Sequence, residues 1–113
     1  MQQQRKHLGE FEIVVLLAAL RLGESEAYAV SIVDEIHDTA SRVVQRAAVY
    51  VALRRLEDKG MVTTRLGDPA PERGGKARRL VKVEPAGLKA LRSSYGSMRR
   101  MAAGLETLLE VEV

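Results

Sequence analysis

The sequence has no cysteine and no tryptophan, and its aromatic residues are one Phe and three Tyr in 113 residues. Without cysteine there is no disulfide scaffold, no thiolate metal site and no thiol nucleophile. So few aromatics argue against a single-strand nucleic-acid binder, which stacks bases on aromatic platforms. Long apolar runs are also missing. The longest, Ile13 to Leu20, is far short of the roughly 20 residues a membrane span needs. Arg5 and Lys6 precede it as in a secretory signal, but Glu10 and Glu12 interrupt the approach and Arg21 closes the run without a small-residue cleavage site. The expectation is a buried first helix in a cytoplasmic protein.

What is present is ordinary for a folded domain: 46% hydrophobic and 29% charged residues, within the globular range. The length suits one domain with a modest core. Apolar residues at 3–4 spacing predict a first helix at about 8–22, apolar on most sides and so covered by two partners. A second is expected at about 26–39, with Ser25 as N-cap and Ala29, Ile32, Val33, Ile36 and Ala40 on its buried face. A third, at about 45–59, carries the stripe Val49, Ala52, Leu53 and Leu56. Gly23 and Gly60 are placed to stop the first and third helices. Two β-prone runs follow, 61–66 and 80–83, separated by a Gly/Pro-rich segment that fits the tip of a two-stranded ribbon. Pro85 suits the first turn of a final helix, expected to run from about 86 to 109. The fold class expected is therefore mainly α with a small β-ribbon: a winged helix-turn-helix over 1–84 plus a C-terminal dimerisation helix over 85–113, as one compact unit.

The net charge of +3 says little until it is divided by position. Residues 42–82 hold eleven Lys/Arg against four Asp/Glu, a net +7, and the rest of the chain holds seven against eleven, a net −4. The basic charge falls on the third helix and the ribbon, the elements a winged helix presents to double-stranded DNA. Arg73, Lys76, Arg78 and Arg79 are suited to neutralise phosphates and release counterions, and Gly74 and Gly75 let the tip approach a backbone or enter a minor groove. Arg46, Tyr50 and Arg54 share an outward face at i+4 spacing. At the start of the helix, Gln45 and Arg46 are placed to read base edges, Gln favouring adenine and Arg guanine. Tyr50 has two readings: a hydroxyl donor to phosphate, or a half-buried ring packed against the second helix.

Three stretches carry a family resemblance through their order and spacing. LGEFEIVVLLAALRLGESEAYAVSIVDEI is similar to the opening helix pair of PadR-family transcriptional regulators. AAVYVALRRLEDKGMV resembles their recognition helix and the start of the wing, through Tyr50, Leu53, Arg55, Leu56, Lys59 and Gly60. ERGGKARRLVKVEPAGLKAL resembles the wing tip, second strand and last helix, through Gly75, Arg78, Arg79 and Gly87. The resemblance spans roughly residues 8–95. Leu80 and Val81 stand where family members often have aromatics, and Glu84 where a threonine usually caps the last helix. The short C-terminal helix resembles the small subfamily. The resemblance implies a homodimeric DNA-binding repressor, often of a transporter or stress gene and sometimes released by a small molecule.

A dimer also follows from spacing. Leu88, Leu91, Tyr95, Met98, Ala102, Leu105 and Leu109 are separated by 3, 4, 3, 4, 3 and 4 residues, a heptad seam. The alternative is a helix packed on its own domain, but about 24 residues would span ~36 Å, longer than so small a domain needs. Gly96 and Gly104 have two readings: they weaken that helix by about 1 kcal/mol each, so that packing must hold it, or they permit close helix approach. A dimer would set two recognition helices roughly one DNA turn apart and so require a pseudo-palindromic site.

Catalytic and metal chemistry is not assembled. His37, beside Asp34, Glu35 and Asp38, is a poor cage because adjacent helical residues diverge. Gly74-Gly75-Lys76 lacks the first glycine and the Ser/Thr of a phosphate-binding loop. Neither an enzyme nor a cofactor is expected. Tyr95, Met98 and Met101 have two readings: an adaptable pocket for a small apolar or phenolic effector, or core and dimer packing. The absence of Trp removes the aromatic clamp of some drug-binding relatives. The rival to a DNA-binding regulator is a winged-helix interaction module whose basic face binds an acidic protein.

Overall fold

A computed structural model describes residues 8–68 and 77–110 of the chain. The elements are α1 (Glu10–Leu22), α2 (Ala29–Ala40), α3 (Arg46–Asp58), β1 (Val62–Leu66), β2 (Arg79–Val83), α4 (Pro85–Ala102) and α5 (Glu106–Leu109). This is the mainly helical winged-helix architecture, with one two-stranded ribbon among the described residues.

The core lies where α1, α2 and α3 converge and is closed by the start of the ribbon. Val15 and Leu16 from α1, Ile32 from α2, Val49 and Leu56 from α3, Met61 just before the ribbon, and Val62 and Val81 within it have less than 2% of their surface exposed. Each apolar stripe of the three helices thus finds its partners in the other two. The ribbon is antiparallel, pairing Val62 with Val83 through Leu66 with Arg79. It is tied to the helices by a bond that local sequence does not announce: the Val81 N–H donates to the Ala27 carbonyl at 2.9 Å.

Glu12 is the one buried charged residue among those described. Its Oε1 accepts from the Gly9 N–H at 3.0 Å, and both carboxylate oxygens lie 3.2 Å from Lys59 Nζ. One side chain therefore caps α1 and fastens it to the end of α3, and its burial is compensated by full pairing.

Two expected boundaries are corrected. Ser25 does not cap α2. The helix begins at Ala29 with Tyr28 as N-cap, because Ser31, a turn inside, accepts the Tyr28 N–H at 3.0 Å and donates to the Glu26 carbonyl at 2.7 Å. At the far end of α2, Ala40 is exposed rather than buried. The final helix likewise does not run to 109. It ends at Ala102, Gly104 turns at φ +88°, and the chain resumes in the single turn of α5. The left-handed conformation costs glycine nothing, and the Glu106 carboxylate accepts the Gly104 N–H at 3.0 Å. Leu105 and Leu109 therefore leave the helical register of the expected seam.

The start of α4 is fixed by close approach. The Glu84 N–H donates to the Met61 carbonyl at 2.9 Å, and a Cβ at Gly87 would lie 2.4 Å from that same oxygen. Only glycine allows the helix to sit this near the ribbon.

Candidate nucleic-acid interface

On α3, burial of Val49, Ala52, Leu53 and Leu56 leaves the opposite side free. Gln45 is the N-cap, and its side chain makes no capping bond. With Arg46 it sits exposed at the leading end of the helix. Tyr50 is 56% exposed and shares a cleft with Ala29 of α2, so its hydroxyl is open to a partner while part of the ring is covered.

Arg46, Tyr50 and Arg54 do share a face, and Tyr50 and Arg54 are on the flank turned to the ribbon. There a cleft of about 350 Å³ is lined by Tyr50, Arg54, Glu57, Thr64 and Arg79. Its far wall is braced by a relay: Arg79 Nη1 donates to Thr64 Oγ1 at 3.0 Å, and that hydroxyl donates to Glu57 Oε2 at 3.1 Å. Arg79, on β2, is thereby held beside this flank of α3.

Arg78 has a different environment from the one expected. Its guanidinium carbon lies 4.4 Å from the centre of the Tyr28 ring. Its Nε is buried and has no hydrogen-bond partner among the described residues. The predicted wing-tip residues Arg73, Gly75 and Lys76 lie outside the described residues.

The basic stretch is not uniformly available. Arg42 is consumed by Glu10, at 2.7 and 3.1 Å in a two-pronged contact, and Lys59 by Glu12. The Arg42 guanidinium holds the Glu10 carboxyl below its ordinary value by hydrogen bonding, the behaviour of a carboxylate stabilised in its charged form. Arg46, Arg54 and Arg79 form no ion pair with a carboxylate among the described residues. Free cations therefore line the face formed by α3 and the ribbon, and Lys89, Arg92, Arg99 and Arg100 on α4 likewise form no ion pair among the described residues.

Sequence reasoning missed one feature of that face. Helical geometry places Ala47 and Val51 directly opposite the buried stripe, at the ridge of α3, and both are exposed, Val51 to 52%. The signal was available as an apolar i, i+4 pair off the core stripe.

Along α4, Leu91 is buried within its own chain and Leu88 partly so, whereas Tyr95 and Met98 are 61% and 58% exposed. Ala102 is half-buried, and Leu105 and Leu109 are exposed. A groove of about 750 Å³ runs between the start of α1 and α4, and Met61, Met98 and Met101 line it. Tyr95 is not among its lining residues, so the expected trio is divided.

Among the described residues no three His, Cys, Asp or Glu side chains gather as a metal site, and no helix is long and apolar enough to cross a membrane.

A helix-turn-helix closed by a ribbon, with unpaired arginines on the recognition helix and wing, defines a DNA-binding protein of the winged-helix class. The sequence profile described as the transcriptional regulator PadR-like family matches residues 16–93, and the chain belongs to that family. It is a DNA-binding transcriptional regulator and not an enzyme.

Solved structures show the same fold. A PadR family transcriptional regulator from Eggerthella lenta DSM 2243 is 24% identical, with a TM-score of 0.67 over 91% of this chain and 88% of that one. A PadR-like transcriptional regulator from Bacillus cereus strain ATCC 14579 is 16% identical, with a TM-score of 0.67 over 88% and 94% of the two chains. A PadR family transcription regulator from Clostridium difficile R20291 is 18% identical, with a TM-score of 0.64 over 87% and 98%. No curated protein sequence matches the chain.

Proposed function

We propose that the protein is a homodimeric, cytoplasmic repressor that occupies a pseudo-palindromic site and so occludes a promoter. The observation that carries the reading is a cluster of arginines on α3 and β2 that form no ion pair among the described residues. Arg46, Arg54 and Arg79 lie on the face of α3 and the ribbon, while Arg42 is paired with Glu10 at the surface and Lys59 with the buried Glu12. On this reading α3 enters the major groove with Gln45 and Arg46 foremost, and Tyr50, Arg54 and Arg79 contact the backbone. Arg73, Gly75 and Lys76 extend the contact at the wing tip.

The dimer is supported by apolar surface that the single chain leaves uncovered. Tyr95, Met98, Met101 and Leu108 are between 58% and 80% exposed, and Leu17 and Leu20 of α1 are also open. Several exposed large apolar side chains on the last helix and the turn after it support an association face there. The groove lined by Met61, Met98 and Met101 is the place this reading assigns to a small apolar or phenolic effector.

Protection of DNA upstream of the protein's own gene tests the proposal. Two protected half-sites separated by about 10 base pairs, one helical turn, are expected. Protection of a single unpaired half-site would contradict the dimeric arrangement, and binding only to an acidic protein would replace it with the interaction-module reading.

A further inference from the structure

We infer that the ridge of α3, Ala47 and Val51, reads the C5-methyl groups of thymine, and that each half-site carries thymine where these residues dock. The inference rests on the reading of α3 as the helix that enters the major groove. Val51 contributes nothing visible to the fold: its side chain points away from the core, 52% exposed. As a β-branched residue it is also a poorer helix former than most. Ala47, one turn earlier, is equally turned to water, and Val43, in the connector leading into α3, is 82% exposed.

The surroundings select the occupant. Arg46 and Arg54 flank the ridge on one side and Arg55 stands on the other, all exposed. The acidic residues of α3, Glu57 and Asp58, are confined to its trailing end. An apolar strip between cations fits a polyanion that displays apolar groups. In the major groove the one such group is the thymine methyl. Ala47 and Val51 lie ~6 Å apart along the helix axis, within reach of neighbouring steps of one half-site.

The test uses the highest-affinity duplex selected by the full chain from a random pool, with each thymine in turn replaced by deoxyuridine, which removes only the methyl. At one or two positions per half-site the replacement is expected to weaken binding about three- to five-fold, the effect of one buried methyl group. Val51→Ala should weaken binding to the thymine duplex and lose the penalty at one of those positions. It should bind the corresponding uracil duplex as wild type does, which also shows the variant to be folded. Equal binding of every uracil duplex, or an unchanged penalty in Val51→Ala at every position, would overturn the inference while leaving α3 a DNA-binding helix. Failure to select any duplex would overturn both.

Discussion

The Arg78 guanidinium stacks on the ring of Tyr28, 4.4 Å from its centre, and so joins the base of the wing to the N-cap of α2. A residue expected to neutralise phosphate is thus held against the second helix's N-cap, with the Val81–Ala27 backbone bond as its neighbour. Tyr28→Ala is expected to raise the Kd for duplex DNA by about 2- to 30-fold, the range of a cation–π contact from exposed to desolvated. Tyr28→Phe keeps the ring and should bind as wild type. Arg78→Ala and Tyr28→Ala together should cost less than the sum of the two alone, as expected of groups in direct contact. Full additivity would show that the stack does not orient the wing.

Gly87 and Gly96 sit in the same helix and should respond oppositely to alanine. At Gly87 the new Cβ meets the Met61 carbonyl oxygen at 2.4 Å, so the helix must shift from the ribbon, at about 1–3 kcal/mol. At Gly96 the nearest contact is the end of the Arg100 side chain at 3.5 Å, and alanine should stabilise by about 0.5–1 kcal/mol through helix propensity. Thermal unfolding of the two variants checks the pair, at about 4–8 °C per kcal/mol for a domain of this size.

Acid lability should be traceable in part to Glu10. Hydrogen bonding to Arg42 lowers its carboxyl below the ordinary 4.5, so folding favours the charged form. The stabilisation is complete above the ordinary value and is lost as pH falls through the lowered one. Stability measured across this acid range should therefore fall less steeply in Arg42→Gln than in wild type. The Glu10 carboxylate is exposed, so the difference is small.

Association is expected to depend on Met98, which is 58% exposed on the outer stripe of α4. Met98→Asp places a charge in that face without disturbing the buried core. Light scattering should report a monomer, with weakened binding to the paired half-sites. A variant that remains dimeric would move the interface elsewhere.

Periodicity makes much of this fold legible in the sequence. The stripes of α1, α2 and α3 and the ribbon strands are local patterns, and tertiary packing reinforced them. The N-cap of α2 is not legible because Ser25 suits the local chemistry, whereas the observed N-cap, Tyr28, is held by Ser31 from inside the helix, which depends on the path of residues 24–28. The C-terminal helix was drawn too long because a heptad pattern continues through Gly104, while a left-handed turn interrupts the backbone. A heptad pattern also cannot distinguish Leu91, spent on the chain's own core, from Met98, left outside. The stack of Arg78 is not legible in the sequence for a related reason. Its partner, Tyr28, is fifty residues away in sequence, and charge alone does not reveal a stack. On α3 the polar residues drew attention to one flank, while the ridge of Ala47 and Val51 is defined only by what lies opposite the buried stripe.

The central claim is that the unpaired arginines of α3 and β2 bind the DNA backbone, and the salt dependence of duplex binding tests it most directly. Each phosphate contact removed should flatten the slope of log Kd against log salt by about 0.9. Arg54→Ala and Arg79→Ala are each expected to do so, whereas Arg42→Gln, whose guanidinium is already paired with Glu10, should leave the slope at its wild-type value. Unchanged slopes for Arg54→Ala and Arg79→Ala, or an equal loss for Arg42→Gln, would contradict the account.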